Sequence, residues 1–365
     1  MGFKCGIVGL PNVGKSTLFN ALTQTAAAQA ANYPFCTIEP NVGDVAVPDA
    51  RLDTLAAIAK SAQIVPTRIT FVDIAGLVRG ASKGEGLGNQ FLANIREVDA
   101  IVHVLRCFED DDITHVEGRI DPVGDAETVE TELMIADLES LERRIVPLEK
   151  RAKGGDKEAK QQYKLMLKAV SLLRDGKPAR LAELPAEDID PFRQLGLLTS
   201  KPVLYVCNVD EGSAAHGNQY SVAVEEMAKR QGAGCVVISA RIEEEVAQLP
   251  ESERAEFLAS LGLEEPGLNR LIRAGYALLG LLTFFTAGPK ESRAWTVTKG
   301  ARAPQAAGVI HTDFEHGFIR AETIAYEDYV SLNGEAGARD AGKFRLEGKD
   351  YVVQDGDVMH FRFNT

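Results

Sequence analysis

The sequence has no apolar run long enough to cross a bilayer, no paired-cysteine motif and no excess of positive charge. Its longest apolar run, from Tyr276 to Phe285, is too short for a membrane span and predicts a buried helix instead. The five cysteines occur without C-x-x-C pairs, which favours buried reduced thiols over disulfides or zinc. The net charge of -13 argues against a protein that coats nucleic acid with its whole surface, but leaves a local basic patch open.

The composition is that of a soluble globular protein. The chain has 365 residues, of which 45% are hydrophobic and 25% charged, so two or three domains are expected. The N-terminus leads straight into an apolar run of strand type, which predicts that there is no secretory signal. We therefore expect a cytoplasmic protein without a membrane partner.

Residues 9–17 match the phosphate-binding pattern G-x-x-x-x-G-K-S. The run 4–8 before them predicts a strand and the run 18–22 after them predicts a helix, which is the context that a true phosphate loop requires. Lys15 would reach the β- and γ-phosphates, and the Ser16 hydroxyl would hold Mg²⁺. A glycine-rich turn with an ordinary lysine is the alternative. The nucleotide-binding candidates in this stretch are Asn12, Val13, Gly14, Lys15, Ser16 and Thr17.

Residues 1–124 alternate between strand and helix patterns. Apolar runs at 4–8, 69–72 and 101–105 predict strands of a parallel sheet covered on both faces, with ligands at the carboxyl ends of the strands. The polar, proline-interrupted segment 32–45 predicts a loop. Its Thr37 is a candidate second hydroxyl ligand for Mg²⁺ on a switch segment.

The strand at 69–72 is followed by the pattern D-x-x-G. Asp73 would hold Mg²⁺ through water, and the N–H of Gly76 would sense the γ-phosphate. Leu77 stands where many GTPases place a glutamine that orients the attacking water, so we expect slow hydrolysis or a residue supplied from elsewhere. His115 is one catalytic candidate, and a solvated loop histidine is the alternative.

Residues 125–200 differ in pattern from the sheet-forming part. Apolar residues recur at spacings of three and four on both sides of Gly154 and Gly155, which predicts an antiparallel helical arm. Between residues 143 and 168, nine Lys and Arg residues stand against three acidic residues, which gives this stretch a charge of +6. Either a solvated helix surface or a contact with RNA or another acidic surface explains this asymmetry.

Strand patterns resume at 203–207 and 235–238. Many GTPases follow the first of these strands with N-K-x-D, whose lysine and aspartate hold guanine. Here Val209 replaces the lysine and Glu211 the aspartate, so we expect a relaxed or reversed base preference. Asn208 would accept a hydrogen bond from adenine N6, and the Val209 N–H would donate to N1. The base-site candidates are Asn208, Val209, Glu211 and Ser239.

The predicted domain organisation has four parts. Residues 1–124 and 201–281 form the two parts of a nucleotide-binding domain, and residues 125–200 form a helical insertion between them. Residues 282–365 form a compact module with several strand patterns, among them 294–297, 318–323 and 358–363. This module contains no catalytic constellation.

With these motifs, the sequence resembles the Obg-like ATPase (YchF) family of P-loop NTPases. The resemblance rests on residues 9–17, 32–41, 73–81 and 208–211, and the segment 295–363 looks like that family's C-terminal TGS module. It implies an α/β fold: an Obg-type G domain with a mostly parallel sheet and helices on both faces, an inserted antiparallel coiled-coil arm, and a β-grasp TGS domain. It also implies that Mg²⁺ is required, that ATP is preferred over GTP, and that the protein associates with the ribosome, through the large subunit or the whole particle.

Two functional hypotheses stay open. In the first, the protein is a slow ATPase switch whose glycine-rich loops report the γ-phosphate to the arm and the C-terminal module. In the second, it is a ribosome or RNA adaptor in which the nucleotide only stabilises the fold; a GTPase is a further alternative. Asn12 is also a candidate ligand for K⁺ beside the phosphates. We expect a monomer.

Overall fold

Every apolar run for which the sequence predicts a strand lies in a strand. The structure is a computed structural model that describes residues 3–30, 41–74, 87–110 and 119–364. The strands of these residues are β1 (Lys4–Val8), β2 (Val42–Ala46), β3 (Gln63–Val65), β4 (Arg68–Asp73), β5 (Ala100–Arg106), β6 (Val203–Asn208), β7 (Gly234–Ile238), β8 (Leu281–Ala287), β9 (Glu291–Thr298), β10 (Phe318–Ile324), β11 (Arg345–Glu347) and β12 (Val358–Phe363).

The helices range from one turn to the 32 residues of the fourth. None of those in the described ranges is long and apolar enough to cross a membrane. They are α1 (Lys15–Ala30), α2 (Ala50–Ala59), α3 (Leu87–Arg96), α4 (Pro122–Lys153), α5 (Lys157–Arg174), α6 (Ala186–Arg193), α7 (Gln219–Arg230), α8 (Ala240–Gln248), α9 (Glu251–Ser260), α10 (Gly267–Leu278), α11 (Ala303–Ile310), α12 (Thr312–His316), α13 (Tyr326–Ser331) and α14 (Glu335–Asp340), with 3₁₀ turns at Ala179–Leu181, Leu198–Ser200 and Glu211–Ser213.

The described residues group into two compact units. The first contains residues 3–25, 41–43 and those between 70 and 275, and the second contains 26–30, 44–69 and 276–364. The first of two sheets has the strand order β2-β4-β1-β5-β6-β7, and β4, β1, β5, β6 and β7 pair in parallel. All residues of β5 and β6 are buried, as expected for a parallel sheet covered on both faces. The predicted P-loop α/β fold is confirmed.

The predicted helical arm is formed by α4 and α5. Asp121 caps α4 by accepting a hydrogen bond from the Gly124 N–H at 3.0 Å, and Asp156 caps α5 by accepting one from Ala159 at 3.1 Å. Gly155, with φ of 96°, lies in the turn between the two helices. The predicted apolar seam is buried in one cluster, which includes Leu141, Leu148, Met166, Val170 and Leu173.

The second unit is built on a mixed sheet with the strand order β11-β10-β12-β8-β9-β3. The hairpin of β8 and β9 is antiparallel, β12 joins β8 in parallel, and β10 pairs antiparallel with β12. Three alanines of α11 (Ala303, Ala306 and Ala307) are buried with Phe284 and Phe361 of the sheet, because small side chains allow a helix to lie close to it. This arrangement of sheet and helix is the expected β-grasp module.

Residues 44–69 belong to this second unit, although the predicted first part of the nucleotide-binding domain, residues 1–124, includes them. Leu52 and Leu55 of α2 are buried in a cluster with Phe285 and Val358, and β3 pairs in parallel with β9. The apolar spacing of such a segment shows that it is buried, but not which sheet buries it. The other predicted boundaries, at 124, 200 and 281, stay predictions.

Two predictions of local structure are wrong. The run from Tyr276 to Phe285 is not one helix: α10 ends at Leu278, Gly280 has a φ of 64°, and β8 follows at Leu281. Tertiary pairing with β9 decides the conformation of this apolar run. The predicted loop 32–45 is likewise too long, because β2 begins at Val42.

The assignment of α2 to the second unit predicts the effect of a core substitution. Leu55 is fully buried in that unit's cluster. Replacing it with alanine should lower the free energy of unfolding of the second unit by about 3 kcal/mol, because the removed methyl groups leave a cavity. Fluorescence of the chain's single tryptophan, Trp295, during urea unfolding reports on this unit.

The matched control is Leu346→Ala in β11, since Leu346 is 59% exposed in the same unit. It should move the tryptophan transition by no more than about 0.5 kcal/mol. An unchanged midpoint in Leu55→Ala would show that α2 does not contribute to the core of the second unit.

Candidate functional site

The predicted phosphate loop joins β1 to α1 with the expected strand–loop–helix geometry. Asn12 has a φ of 64° and Gly14 a φ of 90°. A Cβ on Gly14 would lie 2.1 Å from Asn208 Nδ2, and one on Gly9 would lie 2.8 Å from the carbonyl oxygen of Val104. Both glycines are therefore required by close contacts, and Gly14 also by its backbone conformation. The loop ends at the N-terminus of α1, where N–H groups without helical partners favour an anion.

Lys15, the first residue of α1, forms an ion pair with Asp73 at the end of β4. Ser16 follows in the first turn of α1 and is exposed. The Ser16 hydroxyl and the Asp73 carboxylate are hard oxygen donors of the kind that Mg²⁺ prefers, so these residues fit the predicted metal. The predicted residues Thr37, Gly76, Leu77 and His115 lie outside the described residues.

Asn208 joins the phosphate loop to the start of α8. It is 5% exposed, its Nδ2 donates to the Val13 carbonyl at 2.9 Å, and its Oδ1 accepts from the Ala240 N–H at 2.9 Å. The structure thus gives Asn208 a different role from the predicted contact with adenine N6. Its amide holds two loops of the site together.

The N–H of Val209 is not available to a base. It donates to the Ile238 carbonyl at 2.9 Å and so extends the pairing of β6 with β7. The predicted hydrogen bond from this N–H to adenine N1 is therefore wrong, because the strand pairing already uses the donor.

Ser239 carries an unused polar group in the same region. Its side chain is 2% exposed, and its Oγ has no hydrogen-bond partner within the described residues. A buried hydroxyl without a partner costs about 1–3 kcal/mol, which a ligand atom at this place would offset. Because a hydroxyl both donates and accepts, it can pair with either kind of base edge.

Glu211 lies at the surface of the site, with its side chain 47% exposed. Its Oε1 is 3.3 Å from Nε of Arg241, which is in the first turn of α8. The carboxylate predicted to contact the base is thus accessible, and a guanidinium group lies beside it.

Lys15, Ser16, Asn208, Glu211 and Ser239 line one cleft of about 1120 Å³ in the first unit, and Asp73 adjoins it through its ion pair with Lys15. Val13 is the one predicted nucleotide-binding residue that does not line it; this side chain is buried beneath the loop and contributes its carbonyl to Asn208. Phe108, Glu109 and Asp110 form a wall of the cleft that the sequence motifs do not reveal. These residues follow β5 and therefore lie at the carboxyl edge of the sheet, which is the signal that could have found them.

The cleft has chemically distinct ends. Backbone N–H groups and Lys15 at one end suit phosphates, and Mg²⁺ held by Ser16 and Asp73 would neutralise part of their charge. At the other end, Glu211 and Ser239 offer an acceptor and a dual-purpose hydroxyl beside apolar surface from Phe108. This combination can bind a nucleoside triphosphate.

Comparisons with known proteins agree with this geometry. Residues 4–144 match the family model MMR_HSR1, described as 50S ribosome-binding GTPase, and residues 281–364 match YchF-GTPase_C, described as a protein of unknown function (DUF933). The chain is 63% identical over 365 residues to "Ribosome-binding ATPase YchF" of Haemophilus influenzae, and 56% identical over 367 residues to the protein of the same name from Bacillus subtilis. Both matches cover 100% of both chains.

A solved structure extends the agreement to the fold. The structure of the Schizosaccharomyces pombe YchF GTPase superposes with a TM-score of 0.88 at 38% identity and covers 99% of this chain and 98% of that one. Because these similarities run over the full length of the chain and include the phosphate loop, the protein belongs to the YchF family of P-loop NTPases.

Proposed function

We propose that this protein is a slow, Mg²⁺-dependent ATPase that binds the ribosome and acts as a nucleotide-controlled switch in the cytoplasm. The observation that carries the proposal is the single cleft that combines the phosphate loop, Lys15 and Ser16 with the altered base site at Glu211. Relatives with 63% and 56% identity are named ribosome-binding ATPases, which supports the same activity here.

The phosphate end supports hydrolysis of the triphosphate. Lys15 would bind the β- and γ-phosphates, and Ser16 and Asp73 would hold Mg²⁺, which would stabilise the charge on the transferred phosphoryl group. We assign the second Mg²⁺ hydroxyl to Thr37, the γ-phosphate sensor to Gly76 and a role in orienting water to His115. Since Leu77 replaces the usual glutamine, turnover should be slow. Asn12 remains our candidate ligand for K⁺.

The base end supports ATP over GTP, although the Schizosaccharomyces pombe relative is named a GTPase. The lysine and aspartate of the guanine-specific pattern are Val209 and Glu211 here. Glu211 is one methylene longer than aspartate and its Oε1 pairs with Arg241, so it offers its oxygens to a base from a different position than aspartate would. The hydroxyl of Ser239 is the other group available to read the base.

The arm supports a contact with ribosomal RNA. Several cations of the arm already form ion pairs within it: Arg151 pairs with Asp156 at 2.7 Å, and Lys153 pairs with Glu149 at 2.7 Å. Lys150, Lys157 and Lys160 are exposed and make no ion pair within the described ranges. We propose that a monomer uses these lysines to contact the large subunit or the assembled ribosome.

The alternative is an adaptor that binds the ribosome regardless of its nucleotide. It is favoured by one observation, the basic arm, which needs no nucleotide to attract RNA. It differs from the switch in a measurable way, because only a switch couples the cleft to ribosome binding.

The ATP preference predicts a result for calorimetric titration with each nucleotide in the presence of Mg²⁺. ATP should bind the wild-type protein more tightly than GTP. Glu211→Asp should narrow the difference, because the shorter side chain restores the acceptor geometry of the guanine-specific pattern.

Glu245→Asp is the matched control for this titration, since Glu245 is an exposed residue of α8 that does not line the cleft. It should leave both affinities unchanged. Tighter binding of GTP than of ATP by the wild type, by about tenfold or about 1.4 kcal/mol, would replace the ATPase assignment with a GTPase.

The switch predicts that ribosome binding depends on both nucleotide and arm. Replacing Lys150, Lys157 and Lys160 together with glutamate should weaken co-sedimentation with ribosomes by at least about tenfold. It should also flatten the dependence on salt between about 50 and 200 mM, because fewer counterions are released from RNA. In the wild type, a non-hydrolysable ATP analogue and ADP should give different affinities.

A second triple variant controls for net charge. Lys290, Lys299 and Lys349 are exposed in the second unit, and their replacement with glutamate changes the charge by the same amount. This variant should sediment as the wild type does. If Lys15→Ala and a change of nucleotide leave ribosome binding unaltered while the arm variant loses it, the adaptor is the correct assignment.

A further inference from the structure

Arg106 is a buried cation at the centre of the first unit. It is the last residue of β5, pairs in register with Asn208 of β6, and is 2% exposed. Arginine is almost never fully buried unless its donors are satisfied, because removing its charge from water is costly. Arg106 lies next to the cleft, because its strand neighbour Asn208 lines it.

The guanidinium group of Arg106 contacts two residues that follow β5, Phe108 and Asp110. Its Nε donates to the Phe108 carbonyl at 3.1 Å, and its Nη2 donates to the Asp110 carbonyl at 3.2 Å. Its central carbon lies 4.7 Å from the centroid of the Phe108 ring. Arg106 thus contacts both ends of residues 108–110, the cleft wall described above, although it does not itself line the cleft.

Other contacts place this wall at the base end of the cleft. The Cys107 N–H donates to the Asn208 carbonyl at 2.8 Å, and Asn218 Nδ2 donates to the Cys107 carbonyl at 2.7 Å. The Tyr220 hydroxyl donates to Glu109 at 2.7 Å, a bond that raises the pKa of Tyr220. The wall is therefore anchored to the strand end that carries Val209 and Glu211.

We propose that Arg106 is a positioning residue for nucleotide binding, which holds the 108–110 wall against the base and sugar of the bound nucleotide and leaves the phosphate grip unaffected. This inference rests on the proposed nucleotide function. It requires arginine rather than lysine, because a planar fork can donate in two directions while its face packs on an aromatic ring, whereas an ammonium group cannot.

The test is the Arg106→Lys variant of the full chain, titrated calorimetrically with ATP, ADP and inorganic tripolyphosphate. ATP and ADP should each bind about tenfold more weakly than to the wild type, since both contact the wall. Tripolyphosphate has no base or sugar, so its affinity should not change. A role of Arg106 in general stability alone would weaken all three ligands together.

Arg180→Lys is the matched control. Arg180 is also largely buried, and it donates to Glu130 and to Gln231 without lining the cleft. Its replacement should lower the thermal midpoint, as we also expect for Arg106→Lys, yet leave the affinity for ATP within about twofold of the wild type.

Tyr220→Phe is a second variant that keeps the inference testable if Arg106→Lys does not fold. It removes the bond to Glu109 from the other side of the wall and should weaken ATP, but not tripolyphosphate, by about threefold. Unchanged ATP affinity in these variants, or an equal loss for tripolyphosphate, overturns the inference. Absence of ATP binding by the wild type would overturn the proposed function instead.

Discussion

The site depends on the two hydrogen bonds of the Asn208 amide. One fixes the carbonyl of Val13 in the phosphate loop, and the other fixes the N–H of Ala240 at the start of α8. The fit is close enough that a methyl group on Gly14 would collide with the amide. One buried side chain thus links the phosphate loop to the start of α8. Glu211 and Ser239 are predicted base-site residues that also line the cleft.

The sequence predicts the helices and strands of this fold better than it predicts which of them pack together. Apolar runs locate eight of the twelve strands in the described residues, and spacings of three and four locate the arm, because buried positions recur at the period of the element. They miss β2, β3, β8 and β11. This periodicity shows that a segment is buried, but not which other elements it packs against. Residues 44–69 carry ordinary helix and strand patterns, yet pack in the second unit. For the run 276–285, pairing with a partner strand outweighs local preference.

The candidate site shows the same division. The motifs identify Lys15, Ser16 and Asp73 because phosphate and metal chemistry requires those residue types at fixed spacings. The motifs do not show which backbone N–H groups already donate within a sheet. The sequence therefore predicts that the Val209 N–H is available to a base, although it donates to the Ile238 carbonyl of β7. Nor do they reveal Arg106, whose role depends on a fold that brings its guanidinium beneath residues 108–110.

The arm is tied to the cleft by contacts that a switch needs. Asp137 of α4 is buried and accepts hydrogen bonds from the N–H groups of Leu198 and Thr199, each at 2.8 Å, and from the Thr199 hydroxyl at 2.7 Å. Residues 198–199 lead within a few residues into β6, whose last residue is Asn208. A buried strand thus connects the anchor of the arm to the side chain that bonds to the phosphate loop. Coupling between the arm and the cleft requires an element whose equilibrium both sites can bias, and the segment 198–208 is the element that contacts both.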